Sequence, residues 1–270
     1  MNHRTIAAGA ILAVALSSAT ALASADAAPA SHASHANSQP ARAGTYRVTA
    51  TVNKTEPLLN SRVKIRATVR PVAPGAQVTL QVKYADRESW KTIDHGRLSN
   101  AGRVTFKDKV GSVRERRYRV VKPAGPNLGA GQGTAPKVTV FGWRDLTSIQ
   151  PAISNGMAKV DFVTFNGVRF PNSLRSYYNP TNGPSVDYNL NRDCKAFRGT
   201  AGLDDTSPAA GTAVVAMRAD SVLKYAGSFA LTQSAPVAFP LTNVFRITIS
   251  AASNGGGLGA VGTPQVLCSF

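Results

Sequence analysis

Asp204 and Asp205 are neighbouring carboxylates, and paired carboxylates are the groups that act as general acid and base in glycoside hydrolysis. That reaction needs the two acids on opposite sides of a cleft, whereas adjacent residues on a strand or tight turn point apart. The pair therefore favours a turn or a polar surface, and contact with a sugar hydroxyl or a calcium ion is the alternative. No other metal ion and no organic cofactor is expected.

Other short enzyme motifs lack the companions that their chemistry needs. Ser221 and Lys224 have the S-x-x-K spacing of penicillin-recognising enzymes, but they lie in a predicted strand without the partner motifs. Gly257 to Gly262 matches a dinucleotide-binding pattern but precedes a strand rather than a helix. His95 is the only histidine after residue 35, so a Ser-His-Asp triad has no base in the C-terminal half. The sequence predicts a protein that is not an enzyme.

Aromatic side chains next to hydrogen-bonding ones indicate sugar binding, because a sugar presents an apolar ring face and a rim of hydroxyls. Tyr177 and Tyr178 lie in a predicted loop with Arg175 and Asn179, and Trp143 is a separate aromatic candidate. Packing is the competing interpretation for all three aromatic residues. Trp143 would then fill a domain junction, and one of the adjacent tyrosines would face inward.

Basic residues form a second candidate surface. Lys and Arg outnumber Asp and Glu by 21 to 7 between residues 41 and 145, and by only 9 to 6 from residue 146 onwards. Strand alternation directs six cations away from the predicted core: Arg47, Lys64, Arg66, Lys83, Arg117 and Arg119. Such a surface attracts polyanions, so the expected partner is a polysaccharide or an anionic cell-wall polymer, with no specific nucleic acid. A surface that serves solubility alone is the alternative.

Alternation of apolar and polar residues predicts the strands that carry these side chains. Val63, Ile65, Ala67 and Val69 alternate with polar residues, as in a half-buried antiparallel strand. About seven such strands over residues 45–141 predict an immunoglobulin-like β-sandwich, with a Gly-rich loop at 124–136 and a last strand at 137–141. Tyr118 is two residues before a buried valine and is expected to form a tyrosine corner.

Residues 142–270 predict a second, larger β-sandwich of the jelly-roll type. Asn166-Gly167, between two apolar runs, is the strongest hairpin signal in the chain, and further strand-like segments follow between Gly- and Pro-rich loops. The fold class is therefore all-β, with an immunoglobulin-like sandwich followed by a jelly roll.

Cys194 and Cys268 are the only cysteines. In an exported chain an even pair predicts a disulfide bond, which would join the last strand to the second sandwich. Two separate buried thiols are the alternative, and a zinc site is not expected because no histidine is near.

The N-terminus predicts export. Residues 1–27 combine a basic start, an apolar stretch and Ala-x-Ala triplets, which together are typical of a secretory signal peptide. Residues 28–44 read as a disordered linker. The apolar stretch is too short to span a bilayer and no later one is apolar enough, so we expect no transmembrane segment. The protein is expected to be secreted, either free outside the cell or associated with the cell wall.

The second half of the chain also resembles a known family. Several segments are similar to the carbohydrate-binding module attached to family 98 glycoside hydrolases: Asn166–Leu174, Val186–Leu190, Phe197–Asp205, Met217–Asp220 and Val237–Ile249. The resemblance extends from about Trp143 to Phe270 and implies a galactose-binding-like jelly roll with a glycan ligand. With a basic sandwich before it, the arrangement also resembles exported proteins of actinobacteria.

Three functional hypotheses follow. The leading one is a secreted, non-catalytic protein that binds carbohydrate through its C-terminal module and anionic polymers through its basic domain. The second is a structural or adhesion component of the cell envelope without a glycan pocket. The third, a hydrolase with an unfamiliar site, would need clustered acids in a cleft.

Overall fold

The computed structural model describes residues 44–177 and 183–270. The predicted signal peptide and nearly all of the predicted linker lie outside these residues, as do Tyr178 and Asn179. The described chain consists of strands and loops with a single 3-10 turn, Leu146–Ser148. The predicted all-β fold is confirmed, and no helix in the described ranges has the length and hydropathy to span a membrane.

The first sandwich is immunoglobulin-like and consists of two antiparallel sheets. One has the strand order β1-β2-β5 and the other the order β4-β3-β6-β7. Mostly aliphatic side chains from both sheets, such as Ile65 and Leu80, form a shared buried core. The strands are β1 Arg47–Val52, β2 Arg62–Arg70, β3 Gln77–Tyr84, β4 Lys91–Arg97, β5 Arg103–Lys109, β6 Arg116–Lys122 and β7 Gly131–Thr134.

The prediction for residues 124–141 was wrong in its details. The Gly-rich segment contains strand β7, which pairs with β6, whereas Val138 and Phe141 make only isolated bridges. Glycine is required in β7 because a Cβ atom on Gly131 would lie 1.9 Å from the carbonyl oxygen of Tyr46, and one on Gly133 would lie 2.4 Å from that of Val48. The absent side chains let β7 approach β1, so glycine here indicates close strand contact rather than a loop.

A buried polar cluster crosses the first core. The Tyr118 hydroxyl donates to Asp108 Oδ2 at 2.6 Å, and the buried Arg116 guanidinium lies 3.8 Å from the same oxygen. Arg116 also donates to the Ser112 carbonyl at 2.7 Å and stacks on the Tyr84 ring. Burial, followed by the bond to Asp108, raises the pKa of Tyr118 above its usual range. Tyr118 thus bonds to a carboxylate of the facing sheet and does not form the expected tyrosine corner.

The second sandwich is a larger pair of sheets with its own core. A six-stranded sheet has the order β10-β11-β18-β13-β16, with β8 paired to β18, and it packs against a five-stranded sheet of order β15-β14-β17-β12-β9. The strands are β8 Gly142–Asp145, β9 Ile153–Asn155, β10 Met157–Phe165, β11 Val168–Ser176, β12 Ser185–Asn189, β13 Cys194–Leu203, β14 Thr212–Ala219, β15 Val222–Ala230, β16 Ser234–Pro240, β17 Arg246–Asn254 and β18 Gly259–Cys268.

Two predicted local features of this sandwich are present. Asn166 and Gly167 form the turn between β10 and β11, both with positive φ. The disulfide bond joins Cys194 to Cys268 and closes a sequence separation of 74 residues at one end of the β13–β18 pair. Because β18 lies in the interior of its sheet, the bond holds a central strand.

The chain passes between the two sandwiches without an intervening linker. Val138 and Val140 belong to the first core, whereas Gly142 begins β8 of the second sandwich. Lys195 of the second sandwich forms an ion pair with Glu56 and lies over the Phe141 ring. The predicted boundary at residues 141 and 142 falls at this passage, and the existence of two separate domains stays a prediction.

We expect one pH effect from the second core. Burial raises the pKa of Tyr188 to about 12, whereas an unfolded tyrosine ionises near pH 10. The folded state therefore keeps a proton that the unfolded state loses, so this stabilisation is complete below about pH 10 and declines as the pH rises towards 12. Denaturant titrations give the free energy of unfolding at each pH. Between pH 9 and 11.5 this free energy should fall by up to about 2 kcal/mol more in the parent than in Tyr188→Phe. Equal pH dependence of the two proteins would contradict this expectation.

Candidate functional site

Those predicted sugar-binding residues that the structure describes, Trp143, Arg175 and Tyr177, lie at two places. Along β18, Trp143 lies opposite Leu267, whereas Arg175 lies opposite Ala260. Seven residues of strand separate these positions by roughly 23 Å, because a strand rises about 3.3 Å per residue. Trp143 and the Tyr177 region are therefore two separate candidate sites, one towards each end of β18.

The Trp143 end presents an aromatic ring next to a cation. Trp143 is 38% exposed, so it is not enclosed by the junction between the sandwiches. The Arg198 guanidinium carbon, on β13, lies 4.0 Å from the centre of its ring, in a cation–π contact. Arg198 faces Gln265 directly across the β13–β18 pair, and Gln265 faces Asp145 across the β18–β8 pair. Sheet register thus places these polar side chains in one row beside the indole.

Hydrogen bonds fix this row of side chains. Arg198 Nε donates to Gln265 Oε1 at 2.8 Å, and Gln265 Nε2 donates to Asp145 Oδ1 at 2.7 Å. The other carboxylate oxygen of Asp145 accepts from Asn172 Nδ2 at 2.9 Å. A guanidinium has five N–H donors, and within the described residues Arg198 uses only the one on Nε. Its terminal nitrogens can therefore donate to a ligand beside the exposed ring.

A shallow groove begins at this row. It has a volume of about 660 Å³, and its lining includes Arg198, Gln265, Thr200, Thr263 and the ring of Phe170. The Trp143 site is defined here as Trp143, Arg198, Gln265, Asp145 and this groove. An apolar ring with a few oriented polar groups is the usual composition of a small-ligand site.

The Tyr177 end is organised differently. Tyr177 is 57% exposed and borders a groove of about 370 Å³ formed with the Ser253–Leu258 turn. Arg175 points to the buried carboxylate of Asp204, with 3.2 Å between Nη1 and Oδ2. Arg175 is thus engaged in an internal ion pair, although the sequence suggested it as a sugar contact. The partners Tyr178 and Asn179 lie outside the described residues.

The adjacent acids serve the fold. Asp205 accepts the backbone N–H groups of Asn166 at 2.9 Å and Gly167 at 2.8 Å, so it holds the β10–β11 turn. Asp204 accepts the N–H and hydroxyl of Thr206 in addition to Arg175. These contacts agree with the turn interpretation. Over residues 44–177 and 183–270 no three His, Cys, Asp or Glu residues cluster as metal ligands would.

The six predicted basic residues point away from the core, but they do not share one face. Arg47 lies on β1, and Lys64 and Arg66 on β2, all in the β1-β2-β5 sheet. Lys83 lies on β3, and Arg117 and Arg119 on β6, in the opposite sheet. The idea of a single surface was wrong because alternation separates inside from outside without indicating which sheet a strand joins.

The two groups also differ in their partners. Arg119 donates to Gln81 at 2.6 Å and to Gln132 at 3.0 Å and stacks on the Trp90 ring at 4.4 Å. Lys83 lies 3.6 Å from Glu88. No described carboxylate lies within ion-pairing distance of Arg47, Lys64 or Arg66.

Sequence reasoning missed Arg198, Gln265, Asp145 and Asn172. They lie on β13, β18, β8 and β11, far apart along the chain, and only the antiparallel register brings them together. The signal that could have found Arg198 is its position directly after the apolar Phe197, because neighbouring residues of a strand point to opposite faces. That Trp143 lies beside Arg198 follows only from the pairing of β8 with β18.

Comparisons with known proteins find no family for this chain and only distant similarity to solved structures. No family model matches the chain, and no curated protein matches it. One similar solved structure is a CBM51 module from Clostridium perfringens GH95 in complex with methyl-galactose, at 12% identity and TM-score 0.40, covering 46% of this chain and 99% of that one. Another is the PKD domain of human KIAA0319, at 18% identity and TM-score 0.23, covering 38% of this chain and 88% of that one.

Proposed function

We propose that this protein is a secreted, non-catalytic binding protein whose second sandwich binds carbohydrate, while the basic first sandwich associates with anionic polymers of the cell surface. The observation that supports the carbohydrate part is the exposed Trp143 ring beside the fixed but incompletely bonded Arg198 guanidinium. Arg198 covers part of the indole, and the exposed remainder of the ring offers apolar area to the C–H face of a sugar. The N–H donors of Arg198 that no described residue uses can bond the sugar hydroxyls. The sequence resemblance to a carbohydrate-binding module agrees with this assignment.

Secretion is part of the proposal. The features that support it are the signal-peptide pattern of residues 1–27 and the disulfide bond, since disulfides persist in oxidising compartments. The two sandwiches, divided at residues 141 and 142, act as separate domains of one binding protein. Its proposed role is recognition, and the adjacent acids Asp204 and Asp205 are accounted for by an ion pair and a turn.

Binding to a glycan array should depend on Trp143. We expect Trp143→Ala to lower the affinity for the best-bound glycan by about tenfold or more, because the ring that is proposed to stack on the sugar is lost. Tyr177→Ala is the matched control: it removes an exposed aromatic side chain from the far end of β18 and should leave the affinity unchanged. Isothermal titration calorimetry gives both values, and repetition with a chelator tests whether calcium takes part.

Other outcomes have distinct meanings. A loss with Tyr177→Ala alone would move the site to the other end of β18. If the parent retained no glycan in the array, the protein would instead be a structural or adhesion component of the envelope, and the carbohydrate proposal would be rejected.

A further inference from the structure

We propose that the outer face of the β1-β2-β5 sheet binds a linear phosphodiester polymer, with phosphate groups held between cations that face each other on neighbouring strands. This inference rests on the part of the proposed function that concerns anionic polymers, and it names both the surface and the chemical class of the partner.

Only basic residues and threonine occupy this face. Twelve side chains of the three strands point away from the core, and none of them is acidic or aromatic. We call this set the basic face: Arg47, Thr49, Thr51, Arg62, Lys64, Arg66, Thr68, Arg70, Arg103, Thr105, Lys107 and Lys109. The one acid in these strands, Asp108, points to the other side, where it bonds Tyr118. The positive charge is therefore uninterrupted.

Strand register sets like charges directly opposite each other. Arg62 faces Lys109 and Lys64 faces Lys107 across the β2–β5 pair, and Arg47 faces Arg70 across the β1–β2 pair. Like charges at such positions destabilise a sheet, since the Cβ atoms are only about 5 Å apart. A face that served solubility alone would mix the two signs, as the exposed Arg114–Asp86 and Lys137–Glu115 pairs do elsewhere in this sandwich.

The repulsion between cations that face each other on paired strands indicates where an anion would bind. No described carboxylate lies within ion-pairing distance of any cation of the basic face. An anionic group between Lys64 and Lys107 would neutralise both ammonium groups and accept hydrogen bonds from each. Binding would then remove an unfavourable interaction of the free protein as well as add a favourable one.

The spacing of the pairs favours a repeating anion. The Arg62–Lys109 and Lys64–Lys107 pairs are consecutive along β2, so their centres are separated by roughly 6.7 Å, two residues of strand. A phosphodiester chain with a short polyol spacer repeats its charge at a comparable distance. Beyond these pairs, Arg66 lies between Thr51 and Thr105, whose hydroxyls can donate to further oxygens of the same chain.

The absence of aromatic residues on the basic face argues against single-stranded nucleic acid as the partner. Proteins that bind single strands combine a cationic surface with aromatic rings on which the bases stack. The twelve side chains of the basic face offer charge and hydroxyl groups only. This composition suits a polymer that exposes phosphates and hydroxyls and has no bases.

The test compares charge removal on the two sides of the first sandwich. One variant of the full chain carries Lys64→Gln with Lys107→Gln. The matched control carries Lys83→Gln with Arg117→Gln, which also face each other across paired strands but lie on the opposite sheet. Both variants lower the net charge by the same amount, and the probe is synthetic poly(glycerol phosphate) of defined length. Affinity is measured over a range of salt concentrations.

We expect the basic-face variant to bind poly(glycerol phosphate) about tenfold more weakly at low salt, with the slope of log K against log salt reduced by roughly 1 to 2. The control should keep the parent slope. An equal loss in both variants would mean that net charge alone attracts the polymer, and no loss in either would exclude the basic face; both results overturn the inference.

Two further ligands test the chemical class. Oligothymidylate of equal charge should bind more weakly than poly(glycerol phosphate), and tighter binding of it would overturn the assignment to a polymer without bases. Polygalacturonate, which carries carboxylates, should also bind more weakly, and equal binding would overturn the preference for phosphate.

This inference can fail independently of the carbohydrate site. Trp143→Ala should leave poly(glycerol phosphate) binding unchanged, and the Lys64 and Lys107 substitutions should leave binding to neutral glycans unchanged. Retained glycan binding without any polymer binding would reject the inference alone. A thermal melt of each variant verifies folding, and removal of the like-charge pair should keep or raise the melting temperature.

Discussion

Replacement of both Cys194 and Cys268 by alanine is expected to lower the free energy of unfolding by about 4 kcal/mol. The bond closes a sequence separation of 74 residues, and a cross-link over a loop of that length removes much of the freedom of the unfolded chain. Both cysteines are buried in the second core, so alanine avoids placing an unpaired hydroxyl there. Denaturant unfolding measured by far-ultraviolet circular dichroism gives the difference directly.

The reduced parent protein is the control for this experiment. Under a thiol reductant it should approach the stability of the double variant, while the double variant itself should not respond to the reductant. A midpoint of the double variant within error of the oxidised parent would show that the strand pairing of β13 and β18 holds this region without the bond.

Asp108→Asn is expected to destabilise the first sandwich by about 3 to 5 kcal/mol, because it leaves the charge of Arg116 buried without its counterion. Arg116 is only 2% exposed, and its contacts to the Ser112 carbonyl and the Tyr84 ring do not supply a negative charge. The Asn side chain can still accept the Tyr118 hydroxyl, so the substitution isolates the ionic part of the cluster. Chemical denaturation of the full chain provides the measurement.

A second Asp–Arg pair supplies the matched control. Asp86 lies 3.2 Å from Arg114, and both side chains are about half exposed. Since exposed pairs contribute little, Asp86→Asn should cost less than about 1 kcal/mol. If the two asparagine variants lost the same stability, burial would not be the reason for the effect at Asp108.

The sequence was sufficient to predict what depends on short-range pattern. Alternation in Arg62–Arg70 identified a half-buried strand, and Asn166-Gly167 identified a hairpin. The cysteine pair, in a chain with a predicted signal peptide, predicted the disulfide bond. Each of these features rests on a local pattern or on residue type alone, so no knowledge of the tertiary structure was needed.

The predictions that were wrong or missing concern features that depend on which strands are neighbours in the fold. The six predicted cations lie on two sheets, and the sequence could not indicate this. Period-two alternation is the same in every strand of a sandwich, so it does not show which sheet a strand joins. Gly131 and Gly133 were predicted to form a loop because the groups that exclude a side chain there, the carbonyls of Tyr46 and Val48, lie 85 residues earlier in the chain. The row from Arg198 to Asn172 likewise combines four strands.

The passage from Phe141 directly into β8 leaves no flexible tether between the two proposed binding surfaces. Two recognition surfaces joined by a flexible tether can adjust to many ligand spacings, whereas surfaces fixed to each other have a high effective concentration for one spacing and little for the rest. If the proposed carbohydrate site and the basic face both bind, attachment through both would be strongest where neutral sugars and charged groups recur at one separation along a polymer.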